Sequence, residues 1–496
     1  MLERAVTLPL WLFALLLIAA GYAMVMSVLF PSVRWFFRRR LNRAVDRIND
    51  SLHITIKPFQ RTRRQILIDQ LIFDQEVIAT IEEIARETGK PRDVLQHEVK
   101  RYAREIVPAF NAYVYFRVGY WLAKKAARFV YRVRVAAADQ RGLSSIDKDS
   151  TVVFVMNHRS NMDYILISYL AAEQVTLSYA VGEWARVFPL ESLIRAMGAF
   201  FVRRGSQNPL YRKVLARYVY MATQSGVCQA VFLEGGLSRD GKLGQPRLGF
   251  LDYMLRHYDP QSERNITFIP VGINYDRVLE DSNLLRWDDK SSRKGKWGNI
   301  KLALHFLRTN LFTSSRNRWH RFGYASVNFG IPVSMREYAT ERQLNFRHLG
   351  KEQRIEEVEK LAHHLMDAIR VVIPIIPVPV LATVFMQSLE NDEGQPLKSL
   401  DIMTRADQLM ELMMERGAAM KPEQKPRTKT MADALENLKA RGVLVEENDH
   451  FSVNPDYHGL LEYYANSVGH WWQEDHLSAH GSAAEPQGAT IISKVL

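Results

Sequence analysis

Between Asp147 and Pro332 the chain repeats one grammar: an apolar run, a polar turn, then a stretch with helical spacing. The runs read TVVFVMN, TLSYAVG, AFFVRR, QAVFLEGG, NITFIPVGINY and ASVNFGIPV. Helical patterns lie between several of them, at Tyr164–Ala172, Pro189–Met197, Leu210–Gln224 and Leu248–His257. Near-continuous apolar strands separated by helices predict an α/β domain, with a mostly parallel mixed sheet and surrounding helices. Ligand sites in such sheets gather beyond the carboxyl ends of the strands. The polar residues that close each run are therefore the candidates for chemistry.

The first run closes as MNHRSNMDY, with four residues between His158 and Asp163 in the turn. Histidine is suited to take a proton near neutral pH, and a nearby carboxylate can fix its tautomer. The plain alternative is that this turn only caps the next helix, which Asn157, Ser160 and Asn161 could also do. Three more runs end in polar residues. Arg203 and Arg204 follow AFFV; Glu234, Gly235, Gly236, Ser238, Arg239 and Lys242 follow VFL; Tyr275, Asp276 and Arg277 follow FIPVGIN. Singly, these read as a solvated arginine pair and ordinary turns. Together they offer a base, a carboxylate, cations for a phosphate and glycines that let backbone approach a ligand. Glu234 is an acceptor suited to a substrate hydroxyl. Backbone N–H groups near Met162 are candidates for stabilising an oxyanion. This set describes transfer to a phosphorylated alcohol. Neither a Walker lysine motif nor a dinucleotide fingerprint is present, which argues against a kinase or a dehydrogenase.

The flanks differ in character. Val6 to Phe30 contains no charge and is long enough to cross a bilayer as a helix, although Ala19-Ala20-Gly21 could imitate a cleavage site. Arg34, Arg38, Arg39, Arg40 and Arg43 follow at once, so residues 1–40 read as an anchor with a basic flank and the rest as cytoplasmic. Residues 41–140 read as a helical domain, broken at Gly89-Lys90-Pro91. It ends in AYVYFRVGYWLAKKAARFVYRVRV, a basic aromatic segment that either packs on the core or lies on a membrane. The α/β domain takes 141–375. Residues 376–472 read as a helical C-terminal domain, entered by a buried proline-rich turn and carrying a hairpin at GVLVEENDHFSV; 473–496 read as a disordered tail. A helix followed by a hairpin could be a winged-helix DNA reader, but DALENLKARG lacks dense cations, so no nucleic-acid partner is expected. The net charge of +12 favours an anionic partner. The single cysteine, Cys228, reads as a reduced core thiol, and no His/Cys spacing suggests a metal.

The blocks NHRSNMD, GAFFVRR, FLEGGLSRDGK and IPVGINYDRV occur in the order of the four blocks of the glycerolipid acyltransferases. They resemble most the glycerol-3-phosphate acyltransferase branch, and the resemblance extends to LATV and LLEYYANSVGHWW. It implies transfer of a fatty acyl group from acyl-CoA or acyl carrier protein to the sn-1 hydroxyl of glycerol 3-phosphate at a phospholipid membrane, here the inner membrane of a bacterium. No cofactor is implied. His158 would be the general base and Asp163 its orienter. Arg203, Glu234, Gly235, Ser238 and Arg239 would hold phosphate and glycerol, and Pro270 would shape the wall near the acyl end. One departure stands out: Leu237 occupies a place where the family usually has arginine. Lys242, Arg204 or Arg277 would have to compensate, or the acceptor would be dihydroxyacetone phosphate or 1-acylglycerol 3-phosphate. A non-catalytic membrane-tethered binding protein is the more remote reading.

Overall fold

The computed structural model describes residues 57–138, 146–147, 149–171, 175–182, 186, 190–203, 205–281, 322–391, 394–418 and 426–472, together with Pro9. Apart from Pro9, the apolar segment 6–30 and the arginine cluster lie outside the described residues, as do Arg204 and 473–496. Among the described residues no helix is long and apolar enough to cross a membrane.

After a single helical turn at Pro58–Arg61 come three helices: α1 (Arg64–Ile72), α2 (Gln75–Thr88) and α3 (Arg92–Ile106). Asp74 caps α2 by accepting from the N–H groups of Glu76 and Val77, and the α2–α3 break falls at the expected Gly89-Lys90-Pro91. The basic aromatic segment then divides. A π-helical turn at Val114–Gly119 runs into α4 (Tyr120–Val130), and strand β1 follows at Arg132–Ala138. Within the stretch 41–140, expected to be a helical domain, residues 132–138 form a strand of the sheet. Arg132, Val133, Arg134 and Val135 alternate with period two, the spacing of a strand, which the aromatic residues before them obscure.

The sheet continues with β2 (Thr151–Met156), β3 (Ser178–Gly182), β4 (Phe200–Val202), β5 (Gln229–Phe232), β6 (Ile266–Tyr275), β7 (Tyr324–Phe329) and β8 (Val333–Ser334). Its order is β1-β7-β6-β2-β5-β3-β4, with β8 beside β6. The five strands from β6 to β4 are parallel; β7 and β8 run antiparallel to β6, and β1 pairs parallel with β7. Crossovers are α5 (Met162–Ala171), α6 (Leu190–Ala196), α7 (Pro209–Gln224) and α8 (Gly249–Leu255). The sheet is therefore mixed and mostly parallel, as expected.

Both faces are covered, which is why β2 and β6 are buried along their whole length. Val153 and Val155 face a core shared with α1–α3, α7, α8, α9 (Met335–Glu341) and α10 (Lys351–Arg370). Val152, Phe154 and Met156 face the other core, shared with α4, α5 and the C-terminal helices α11 (Pro377–Asn391), α12 (Ser399–Glu415), α13 (Arg427–Ala440) and α14 (His458–Asn466). The C-terminal helices thus complete the second covering layer of the sheet. The proline-rich turn does lead into a buried helix, with Pro377 and Pro379 in its first turn, where missing N–H groups cost nothing. The predicted hairpin forms from β10 (Leu444–Glu447) and β11 (His450–Val453), with β9 (Leu397–Lys398) beside β11. Asn448 and Asp449 make its turn at φ 52° and 59°, conformations these two residues tolerate better than most.

Candidate active site

β2 ends at Met156, yet its pairing with β6 continues. The Asn157 side chain accepts from the Ile273 N–H at 2.8 Å and donates to the Ile273 carbonyl at 2.9 Å. A side-chain amide here replaces a backbone rung, and it fixes the exit direction of the chain. The next residue is His158.

Asp163, the second residue of α5, turns back over the loop. Its Oδ2 lies 2.9 Å from His158 Nδ1 and accepts from the N–H groups of Arg159 at 2.7 Å and Ser160 at 3.0 Å. Its Oδ1 accepts from the Tyr275 hydroxyl at 2.6 Å. One carboxylate therefore both holds the loop backbone and contacts the imidazole, while the Ser160 hydroxyl accepts from the first N–H of α5. The His158 ring stacks on Phe232, with centroids 4.0 Å apart, and meets the edge of Tyr164 at 5.5 Å. It is 1% exposed. Among the described residues its Nε2 has no hydrogen-bond partner.

The loop after β5 is bound to the His158 backbone. The His158 N–H donates to Glu234 Oε1 at 2.8 Å, and its carbonyl accepts from the Ser238 N–H at 2.9 Å. Glu234 Oε2 accepts from the Gly244 N–H, also at 2.8 Å. Glu234, expected to serve a substrate hydroxyl, here holds backbone with both its oxygens. Burial pushes the Glu234 carboxyl up, opposed by Arg159 and the two N–H donors. Ser238 is likewise engaged within the loop, its hydroxyl donating to the Lys242 carbonyl at 2.8 Å. Gly235 adopts φ +67°, and a side chain there would press on Arg247. Arg159 donates to the Gly241 carbonyl. The side chains of Arg239 and Lys242 are exposed on this same loop.

Arg203 follows β4, but its fork points elsewhere. Nε and Nη2 donate to the two oxygens of Glu105, at 2.8 and 2.6 Å, and Arg186 joins the same carboxylate. Arg203, expected to contact the phosphate, is here paired with Glu105 instead. Burial would raise the Glu105 carboxyl, but the two arginines hold it below its usual range. Pro270 lies inside β6, opposite Val155, with its carbonyl accepting from the Gly330 N–H at 2.8 Å. The expected oxyanion donors are also occupied. Arg159 and Ser160 donate to Asp163, Asn161 donates to Glu280 Oε1 at 3.1 Å, and the Met162 N–H donates to Ser160 Oγ at 3.1 Å.

Sequence reasoning singled out Tyr275, at the end of β6, without giving it a role, and missed Glu280 in the loop after β6. Tyr275 binds Asp163, as described. Glu280 accepts from the Ser160 hydroxyl at 2.7 Å and from the Asn161 side-chain amide at 2.9 Å. The signal for both lay in INYDRVLE, where a wholly apolar strand closes on a tyrosine and then on acids. The C-terminal region reaches the site too. The Asn466 side chain donates to the Asp240 carbonyl at 2.9 Å, and the Tyr464 hydroxyl accepts from the Val278 N–H at 3.1 Å. The Asn274 side chain donates to Ser467 Oγ at 3.2 Å. Among the described residues no cluster of His, Cys, Asp and Glu could hold a metal.

Residues 138–274 match the family model described as acyltransferase, and residues 309–478 match that described as glycerol-3-phosphate acyltransferase C-terminal region. The glycerol-3-phosphate acyltransferase of Xanthomonas campestris pv. campestris is 28% identical over 431 residues, covering 84% of this chain and 46% of its own. That of Aeromonas hydrophila subsp. hydrophila is 31% identical over 318 residues, covering 62% and 37%. The chain spans less than half the length of these curated relatives. The crystal structure of the 1-acyl-sn-glycerophosphate acyltransferase from Thermotoga maritima aligns with 61% of this chain and 96% of its own. Its identity is 18% and its TM-score 0.29, an overlap too loose to bear on the fold.

Proposed function

Because this chain belongs to the glycerol-3-phosphate acyltransferase family, we propose that it is an O-acyltransferase acting on the sn-1 hydroxyl of glycerol 3-phosphate. The product is lysophosphatidic acid, and the donor is a fatty acyl thioester of CoA or of acyl carrier protein. The observation that carries this reading is the His158–Asp163 pair at the carboxyl end of β2, with the second ring nitrogen left unpartnered among the described residues.

In this mechanism Asp163 accepts the Nδ1–H and leaves Nε2 as the proton acceptor. Nε2 takes the hydroxyl proton as the substrate oxygen attacks the thioester carbonyl. The C–O bond forms, the C–S bond breaks, and the proton passes to the departing thiolate. No covalent acyl-enzyme is needed, and buried Cys228, whose thiol burial pushes up, takes no part. Arg239 and Lys242 supply positive charge for the acceptor phosphate from the loop that Glu234 and Ser238 hold against His158. The catalytic domain works at a phospholipid surface on the cytoplasmic side, to which the segment 6–30 anchors it.

A second acceptor reading has its own support. Leu237 stands where the family carries arginine, and Arg203 is bound to Glu105, so two phosphate contacts are missing or diverted. Dihydroxyacetone phosphate and 1-acylglycerol 3-phosphate are therefore the acceptors to set against glycerol 3-phosphate. Purified protein in detergent, offered both donors against all three acceptors, tests the reading. Replacing the base, His158→Ala, is expected to lower kcat by roughly 10²–10⁴-fold with little change in KM. Turnover close to the unmutated level in that variant would remove His158 from the reaction.

A further inference from the structure

Tyr275 is the last residue of β6, wholly buried, and has a single described hydrogen-bond acceptor for its hydroxyl: Asp163 Oδ1, at 2.6 Å. That is the oxygen of Asp163 that does not face the imidazole. Such a bond withdraws charge from the carboxylate. It thereby weakens the pull of Asp163 on the Nδ1 proton and on any positive charge that develops on His158. The phenol cannot drift away. Its ring packs against Tyr131 at 5.1 Å, and the Tyr131 hydroxyl is itself fixed to the Arg277 carbonyl at 2.7 Å. The Tyr275 N–H donates to Asn274 Oδ1 at 3.0 Å. Burial and the neighbouring Asp163 both push the phenol well above its ordinary range, so it stays a donor at every working pH.

We propose that Tyr275 is a positioning residue that sets the basicity of His158 through Asp163. This rests on the reading of His158 as the general base. The other ionisable groups around the pair come from several elements. Arg159 adjoins it, Tyr164 of α5 sets its ring edge against the imidazole, Glu234 follows β5, Glu280 follows β6, Tyr131 precedes β1 and Tyr463 lies on α14. Among the described residues only Tyr275 hydrogen-bonds to Asp163 Oδ1, so removing its hydroxyl changes one bond at that oxygen.

The experiment is Tyr275→Phe in the full chain, with the pH profile of kcat/KM and the His158 pKa from NMR of ¹³C-labelled histidine. His158→Gln identifies the resonance among the 14 histidines. Freed of its donor, Asp163 favours the imidazolium more strongly. The His158 pKa and the acid limb are both expected to move up by roughly 0.5–1 unit, with KM for the acceptor within about twofold. Placing 3-fluorotyrosine at 275 strengthens the same bond and is expected to move both downward. This second substitution keeps the test open should Tyr275→Phe fold poorly. Unmoved pKa and profile in both proteins overturn the proposal. The NMR arm does not depend on turnover. A shifted resonance alongside an active His158→Ala enzyme would therefore sink the general-base reading and leave the Tyr275–Asp163 coupling standing.

Discussion

Asp163 accepts from four donors: the His158 ring, the N–H groups of Arg159 and Ser160, and the Tyr275 hydroxyl. At the scale of single residues, this is what makes the site a rigid object. The same holds for Glu234, whose two oxygens join His158 to Gly244. Glu234→Gln keeps the shape but turns one acceptor into a donor facing a donor. It is expected to cost about 1–3 kcal/mol of stability, read by denaturant unfolding, and to lower kcat by misplacing His158. A variant with unchanged stability and only a raised KM would return Glu234 to the role of substrate ligand. The His158–Asp163 contact was legible because five positions separate two residues with obvious chemistry. The role of Glu234 was not, because its partners are backbone groups 76 and 10 residues away, and backbone carries no signature in a sequence.

Among the elements, legibility followed the strength of the local pattern. The helices around Gly89-Lys90-Pro91, strands β2 to β7 and the C-terminal hairpin all announce themselves by period and punctuation. β1 did not, because four alternating residues are outweighed by the basic aromatic helix before them. Contacts between distant elements were hidden altogether, and the approach of α14 to the β5 loop is the clearest case. A side chain at Gly241 would run into the Tyr463 carbonyl, and Gly241 itself adopts φ +82°. Gly241→Ala is therefore expected to push this loop from α14. The melting temperature should fall, and KM for the phosphorylated acceptor should rise several-fold more than kcat falls, because Arg239 and Lys242 move with the loop. Equal kinetic constants in the two proteins would separate the loop from acceptor binding.

On the whole molecule, charge is unevenly spread. Residues 112–138 contain six Lys and Arg and no acid. α4 and the π-helical turn before it expose Val118, Trp121 and Leu122, with Trp121 55% accessible, and Arg117, Lys125 and Arg128 are exposed beside them. An apolar stripe edged by cations suits an anionic lipid surface, the aromatic ring entering the headgroup layer. If this face helps to hold the enzyme on membrane, Trp121→Asp in a chain lacking residues 1–30 should weaken cosedimentation with phosphatidylglycerol vesicles by about tenfold or more. Retention equal to that of the unsubstituted truncated chain would show that the face is merely solvated. The sequence left this segment between membrane and core. The structure explains why both descriptions were available: Ala123, Ala127 and Val130 of the same helix are buried.

The contacts from α14 also carry a consequence for the order of events during synthesis. Asn466 leaves the ribosome 226 residues after the Asp240 carbonyl that it holds. At about 5–20 residues per second, that is a delay of roughly 10–45 s. During most of that interval the strands that present His158, β6 included, are already made, while the loop beside them still lacks its outer clasp. A growing chain therefore carries all four acyltransferase blocks well before it has a finished site. The site gains its outer clasp only once α14 has been made.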